Sequence, residues 1–327
     1  MNQISRIDRK RIFIFVAIVY GITIAVALVL FFSGGLCTSC PFGIKGLATI
    51  LLTATMFAPA LANVATRLIT HEGWSNTFLR PNLRRGWPFY LAAWFLPLVA
   101  TIVGGAIYYL LFPGRFDPSM QWAQETGLEA ATTDPWVVVM GRRVLDSLLY
   151  LPILIFLMFG EEFGWRAYLL PKLMPLGGRK AAVLVGVIWA LFHWPAILMG
   201  FEYGFGYWGA PVVGLLLFVL IAIFASVVFA WVTLRTGSVW PACIAHASNN
   251  SAGWLMAILF MGEWDPLIGP STSGIVGMLG YAVLALLILF SPHALAQAAP
   301  AQADVASSKN PGAVEKAAGQ ATLGTTR

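Results

Sequence analysis

The chain has 327 residues, of which 59% are hydrophobic and 10% are charged. A soluble domain is about half apolar and one quarter charged, so this composition excludes an ordinary soluble protein and indicates a polytopic membrane protein. The formal net charge is +6. The basic residues fall in alternate loops rather than in one patch, so we do not expect nucleic-acid binding.

The apolar stretches predict the number of membrane crossings, because a transmembrane helix needs about 20 predominantly apolar residues. Eight stretches satisfy this length, at residues 12–32, 46–66, 87–112, 144–163, 181–200, 211–233, 239–261 and 274–291. The sequence therefore predicts an all-α fold, a polytopic bundle of about eight transmembrane helices between residues 12 and 292.

The two ends of the chain differ from this membrane domain. Residues 1–11 are basic and precede an apolar stretch that lacks an obvious cleavage site, so we expect a retained signal anchor. Residues 293–327 are rich in Ala, Gln, Ser and Gly and have no apolar periodicity, which predicts a disordered tail.

The charges of the loops predict the orientation of the bundle. The loops on one side carry the basic residues Arg6, Arg9, Lys10, Arg11, Arg80, Arg84, Arg85, Lys172, Arg179, Lys180 and Arg235. The loops on the other side carry the acidic residues Asp117, Glu125, Glu129, Asp134, Glu202, Glu263 and Asp265. Basic loops are cytoplasmic. We therefore expect both termini in the cytoplasm, and a functional site that opens toward cytoplasmic substrates.

Some polar residues outside the spans have a structural explanation. Cys37 and Cys40 lie in the first outward loop, where a disulfide can form, and no histidine lies near them to complete a zinc site. The acidic loop 113–135 contains Trp122 and is expected to carry a short interfacial helix. Arg142 and Arg143 are interpreted as interfacial anchors.

Two adjacent glutamates, Glu161 and Glu162, lie within apolar sequence, where ionisable groups are costly and usually functional. Glu162 precedes Arg166 by four residues, the favourable order for a helical ion pair. We therefore assign Glu162 and Arg166 a structural role, and we expect Glu161 to face a cavity and take a proton from water. The alternative is that both glutamates belong to a salt-bridge network at a helix end.

Two histidines and an asparagine lie in equally apolar segments. His193 follows Trp189 by four residues, and Asn250 follows His246 by four residues, so each pair shares a helical face. Either histidine alone is explained as a hydrogen-bonded core residue. His246 and Asn250 together, however, can converge on one oxygen atom, as an oxyanion requires.

These residues resemble the CPBP family of membrane proteases, which includes type 2 CAAX prenyl proteases, bacteriocin-processing enzymes and lysostaphin-resistance proteins. The resemblance covers about residues 140–260. The family pattern is matched by Glu161-Glu162-x-x-x-Arg166, Trp189-x-x-x-His193 and His246-x-x-x-Asn250. Trp189 stands where phenylalanine is common, which retains an aromatic packing group.

The resemblance implies an intramembrane endopeptidase of a bacterial plasma membrane, acting on membrane-associated, prenylated or bacteriocin-like substrates. Glu161 and His193 would activate water, while His246 and Asn250 would hold the oxyanion. No cofactor is favoured. Zinc held by Glu161, His193 and His246 is the second choice, because the sequence lacks the His-Glu-x-x-His spacing that presents ligands on one helix.

Two other functions are compatible with the sequence. A non-catalytic immunity or partner-binding protein could use the same polar cavity for recognition. Retention of every polar motif position disfavours this function. A proton-coupled transporter is disfavoured, because its polar groups would extend through the membrane and its sequence often contains inverted repeats.

Overall fold

The computed structural model describes residues 6–36, 44–127, 129–253, 255–262 and 265–296. Within these ranges the chain forms helices joined by turns, with a single isolated bridge between Phe116 and Phe260 and no β-strand. The predicted all-α class is therefore confirmed. Cys37, Cys40 and the tail beyond Ala296 lie outside the described residues, so the predictions made for them stay predictions.

The helices are α1 (Arg6–Phe32), α2 (Ile44–Thr55), α3 (Ala58–Ile69), α4 (Leu83–Leu111), α5 (Gln121–Glu125), α6 (Trp136–Leu149), α7 (Leu151–Gly164), α8 (Leu170–Leu173), α9 (Gly178–Ile197), α10 (Val212–Thr236), α11 (Trp240–Ala252) and α12 (Leu279–Phe290). A π-helical turn, Trp165–Leu169, joins α7 to α8. The short helix expected in the acidic loop is α5, which contains Trp122.

The helix lengths agree with a bundle that crosses a membrane about eight times. In the described part of the chain, α1, α4, α9 and α10 are each long and apolar enough to span, and the bent pairs α2–α3 and α6–α8 can each form a further span. The two remaining predicted spans contain the shorter helices α11 and α12.

The second and fourth predicted spans are bent rather than straight. The axes of α2 and α3 differ by 41°, and those of α6 and the helical segment that begins with α7 differ by 54°. Pro59 and Pro152 lie in the first turns of α3 and α7. Proline lacks a backbone N–H and its ring clashes with the preceding turn, which explains a break in each helix at this point.

Helix α10 lies in the centre of the bundle, packed against α4, α9, α11 and α12. It is apolar on all sides, as expected for a helix surrounded by other helices. Gly186 allows α9 to approach closely, since a Cβ there would lie 2.7 Å from the Cα of Ile223. The hydroxyl of Ser226 then donates to the carbonyl of Ala182, at 2.7 Å.

Two glycines set the orientation of α7, the helix that carries both glutamates. A Cβ at Gly160 would lie 2.8 Å from the carbonyl oxygen of Met56, and one at Gly164 would lie 2.6 Å from that of Pro59. Small residues four apart let helices pack closely. The glycine face of α7 therefore packs on the α2–α3 corner and on α3, which directs Glu161 and Glu162 toward α9 and α11.

Candidate active site

One cavity of about 390 Å³ is lined by Glu161, His193, His246 and Asn250. These side chains come from three helices, α7, α9 and α11, and the cavity is completed by residues of α1, α2 and α10. The structure therefore brings together the four residues that the sequence indicated as catalytic. Glu162 and Arg166 lie behind the side chains that line the cavity, and both are fully buried.

The Glu161 carboxylate is held by two tryptophans. The indole nitrogen of Trp189 donates to Glu161 Oε2 at 2.6 Å, and that of Trp165 donates to the same oxygen at 3.3 Å. Both donors act on Oε2, which leaves Oε1 available to a reactant. The sequence predicted only a packing role for Trp189 and not this hydrogen bond. The sequence did contain one signal for this hydrogen bond, namely a tryptophan at a position where phenylalanine is common.

Glu162 forms the predicted ion pair with Arg166 and also contacts a histidine. Its Oε2 lies 3.2 Å from Arg166 Nε, while its Oε1 lies 2.9 Å from His246 Nδ1 and 3.4 Å from Arg166 Nη1. An ionised carboxylate accepts hydrogen bonds but donates none. Glu162 therefore fixes a proton on His246 Nδ1 and orients the ring, a contact that the sequence did not predict.

His193 is oriented by its own helix. Its Nδ1 lies 2.9 Å from the carbonyl oxygen of Trp189, one turn earlier. A carbonyl only accepts, so Nδ1 carries the proton and the Nε2 atom of the neutral ring is an acceptor. The ring packs against Phe192 and Phe218, with centroid distances of 5.1 and 4.9 Å. These contacts fix the tautomer in which His193 can accept a proton.

Asn250 lies one turn after His246 on the cavity side of α11. Its Nδ2 lies 3.3 Å from the sulfur of Met158, and its Oδ1 accepts a hydrogen bond from Asn249 at 3.0 Å. A thioether is a weak acceptor. The amide N–H of Asn250 can therefore donate instead to a stronger acceptor in the cavity, because little hydrogen-bond energy is lost when it leaves the sulfur.

Aromatic rings surround the charged groups behind the cavity. The guanidinium of Arg166 lies 5.0 Å from the ring centre of Trp189 and 5.2 Å from that of Phe229. The same two rings contact the His246 imidazole, at 5.1 and 5.3 Å. Aromatic faces attract cations, so these rings stabilise the guanidinium of Arg166 and would also stabilise the imidazole of His246 if it carried a second proton.

The described side chains do not form a metal site. In these ranges no three His, Cys, Asp or Glu side chains are grouped so that they could hold a metal ion. In the zinc set considered from the sequence, Nδ1 of each histidine contacts a protein oxygen and Oε2 of Glu161 accepts from two indoles, so the Nε2 atoms and Oε1 are the atoms left for a ligand. As arranged in the described ranges, Glu161, His193 and His246 are not grouped so that they could hold an ion.

A second carboxylate lines the same cavity and was not predicted as a site residue. Glu202 lies in the connection between α9 and α10, and the Ser273 hydroxyl donates to it. Burial raises the pKa of the Glu202 carboxyl above its ordinary value, although the Ser273 hydrogen bond acts in the opposite direction. The sequence signal was weak, because Glu202 looked like one of several acidic loop residues.

Comparison with known proteins identifies the region that contains this site. Residues 143–252 match the model of the type II CAAX prenyl endopeptidase, Rce1-like family. The chain is also similar to CAAX prenyl protease 2 of Methanococcus maripaludis, with 29% identity over 114 residues, which are 33% of this chain and 42% of the relative. The aligned part thus spans less than half of that relative. Residues 143–252, which hold every predicted site residue, are thus the part of the chain that is similar to this family of CAAX prenyl endopeptidases.

Proposed function

We propose that the chain is an intramembrane endopeptidase that hydrolyses peptide bonds of membrane-associated substrates with water activated by Glu161 and His193. The observation that supports this most directly is that Glu161, His193, His246 and Asn250 line one cavity. Such a site needs a base, an orienting acceptor and donors for an oxyanion, and these four side chains supply all three.

The proposed reaction begins with a water molecule between Glu161 and His193. The water donates one hydrogen bond to His193 Nε2 and transfers its other proton to Glu161 Oε1, the oxygen not engaged by the indoles. The resulting hydroxide attacks the carbonyl carbon of the substrate. General-base assistance of this kind contributes about 10²- to 10⁴-fold to the rate.

The oxyanion formed in this step is stabilised by His246 and Asn250. Since Nδ1 of His246 already donates to Glu162, Nε2 can donate only if the ring carries both protons. The charges of Glu161, Glu162, Arg166 and His246 then sum to zero, which suits a buried site. The positive imidazole beside two aromatic rings is thus the form that can hold the developing negative charge.

Collapse of the tetrahedral intermediate completes the hydrolysis. The carbon–nitrogen bond breaks, the proton on Glu161 passes to the departing nitrogen, and the second product is a carboxylic acid. Glu161 is thereby returned to its ionised form, and no other reactant is needed. Trp165 and Trp189 keep the carboxylate in place through both proton transfers.

The substrates are proposed from the family and from the site. The relative is named a CAAX prenyl protease, and the cavity is bordered by apolar residues of α1 and α10. We therefore propose a protein or peptide associated with the bilayer, of the prenylated CAAX or bacteriocin type.

The proposal is tested with the full chain in lipid nanodiscs and two quenched fluorescent peptides, one farnesylated and one not. Glu161→Gln should lower turnover about 10²- to 10⁴-fold, whereas Glu125→Gln, at an exposed position of α5, should match the parent. Turnover in Glu161→Gln close to that of the parent would refute the assignment. Binding without cleavage by the parent would favour a non-catalytic partner-binding protein.

A further inference from the structure

Glu202 is a second carboxylate in the active-site cavity, and the proposed hydrolysis gives it no role. It lines the same cavity of about 390 Å³ as Glu161 and His193. It lies in the connection between α9 and α10, not on a helix that carries a catalytic side chain. A substrate bound in this cavity for hydrolysis therefore lies within reach of two carboxylates, one of which is not needed to activate water.

Only one oxygen of the Glu202 carboxyl group is bonded to the protein. The Ser273 hydroxyl donates to its Oε1, and its Oε2 accepts no hydrogen bond from the described residues. Each oxygen of an ionised carboxylate can accept about two hydrogen bonds. Glu202 therefore retains acceptor capacity for a group that enters the cavity.

The charge of Glu202 has no positive partner in the described part of the chain. The described residues that line the cavity include no Lys or Arg, and no salt bridge formed by the described residues includes Glu202. The charges assigned above to the catalytic and supporting groups already sum to zero without it. Removing a charge from water without a partner is costly, so the ionised form of Glu202 gains most from a cation that the substrate supplies.

The surrounding backbone holds Glu202 at the cavity wall. The N–H of Tyr203 donates to the carbonyl oxygen of Phe201 at 2.8 Å, which closes a three-residue turn around Glu202, whose φ is +70°. Such turns are rare and strained. The Tyr203 hydroxyl also donates to the carbonyl oxygen of Ser273 at 3.1 Å, and the Ser273 hydroxyl donates to Glu202. The carboxyl group is thus positioned by two connected segments, as a binding group requires.

A basic side chain fits this position better than an apolar or an acidic one. An ammonium or guanidinium group donates hydrogen bonds and also balances the charge of the carboxylate. An apolar side chain would leave the buried carboxyl group without a new partner. An acidic side chain would bring a third negative charge close to Glu161 and Glu202, and such repulsion excludes wrong ligands.

We propose that Glu202 forms a subsite of the active site that binds a lysine or arginine side chain of the substrate close to the cleaved bond. This inference rests on the proposed protease function and deepens it. It narrows the substrates to membrane-associated chains that carry a basic residue near the cleavage site, because Glu202 and Glu161 line one cavity.

The test compares peptides that differ in a single side chain, with the full chain in nanodiscs of a zwitterionic lipid, which does not itself attract lysine. In the farnesylated quenched peptide, lysine is placed in turn at each position on either side of the farnesylated cysteine. Each lysine peptide is matched by one with norleucine, which has a similar length without the charge, and by one with glutamate. We measure kcat/KM for the parent, and Kd in the Glu161→Gln background, where binding is measured without cleavage.

At one position lysine should exceed norleucine about 10-fold or more in kcat/KM and in affinity, as close charge pairs across an interface do, and glutamate should fall below norleucine. In Glu202→Gln, which keeps the shape of the side chain, the ratio of lysine to norleucine should fall to about one. Glu125→Gln, at an exposed position of α5, should keep the ratio of the parent.

Two results would overturn the subsite. One is equal use of lysine and norleucine peptides by the parent at every position, a comparison that does not depend on the folding of any variant. The other is a preference for lysine that survives in Glu202→Gln. Cleavage without a preference refutes the subsite alone, whereas a Glu202-dependent preference in binding without any cleavage by the parent supports the subsite and refutes the protease function.

Discussion

The indole nitrogen of Trp189 lies 2.6 Å from Oε2 of Glu161, which makes this tryptophan a donor to the carboxylate proposed to activate water. A phenylalanine at the same position would fill similar space without that hydrogen bond. Since a second indole, that of Trp165, contacts the same oxygen at 3.3 Å, the carboxylate is restrained on one side. Trp189 is therefore a positioning residue as well as a packing group.

Trp189→Phe should lower kcat with little change in KM, because the ring still packs but Glu161 is less well oriented. A hydrogen bond to a charged group is worth about 1.5–3 kcal/mol, so we expect a loss of about 10- to 100-fold. The matched control is Trp194→Phe, whose indole nitrogen has no hydrogen-bond partner among the described residues. Equal activities of the two variants would contradict the positioning role.

Arg166→Ala should strongly destabilise the protein, because it leaves Glu162 charged and buried without its main partner. Breaking a buried pair costs about 3–5 kcal/mol, and thermal unfolding in detergent measures it. Arg142→Ala removes an exposed ion pair with Asp134 and should cost at most about 1 kcal/mol. If Arg166→Ala melts at the parent's temperature, the structural role of the Glu162 pair is wrong.

Asn250→Ala should reduce turnover far more than substrate affinity, because its amide N–H is proposed to act on charge that exists only during the reaction. Loss of one oxyanion donor costs about 10²- to 10³-fold in kcat. The measurement compares turnover with the binding of an uncleavable peptide. Ser251→Ala, which removes only a hydroxyl bonded to the backbone of Ser248, serves as the control.

Two results would change the interpretation of the site, one for the role of Asn250 and one for the role of His193. An equal loss of binding and turnover would indicate a recognition role for this residue. Metal analysis of the same preparations addresses the zinc alternative directly, since stoichiometric zinc that disappears in His193→Ala would support metalloprotease chemistry.

Glu72 should make the stability depend on pH. Burial opposes ionisation of this carboxyl, but hydrogen bonds from Lys172 and Tyr168 and the positive charges of Lys172 and Arg11 hold its pKa below the ordinary 4.5. Its stabilising effect is therefore present above that value and is lost as the pH falls through the lowered folded-state pKa. Glu72→Gln should melt below the parent at neutral pH.

The difference between Glu72→Gln and the parent should shrink as the solution is acidified, because the parent's carboxyl then also loses its charge. Melting temperatures measured from about pH 7 to about pH 3 would show this convergence. Glu125→Gln, at an exposed position of α5, should follow the parent throughout the range. A constant difference between Glu72→Gln and the parent would contradict the ionic origin of the effect.

Local patterns in the sequence were sufficient for the fold class and for the four polar residues, Glu161, His193, His246 and Asn250, that line the cavity. The apolar lengths predicted the helical bundle because a helix that crosses a membrane must satisfy its own backbone and present apolar side chains. Spacings of four placed Glu162 beside Arg166 and His246 on one face with Asn250, since helical neighbours depend only on the period of the helix. The Glu162–Arg166 contact follows this expectation.

The contacts between helices required the tertiary structure. The hydrogen bond from Trp189 to Glu161 joins residues that are 28 apart in the sequence, and the one between His246 and Glu162 joins residues that are 84 apart. No local period relates such positions. Residue types and helical periodicity therefore determined which helices and which polar groups this protein contains. The packing of helices distant in sequence decided which of these groups meet.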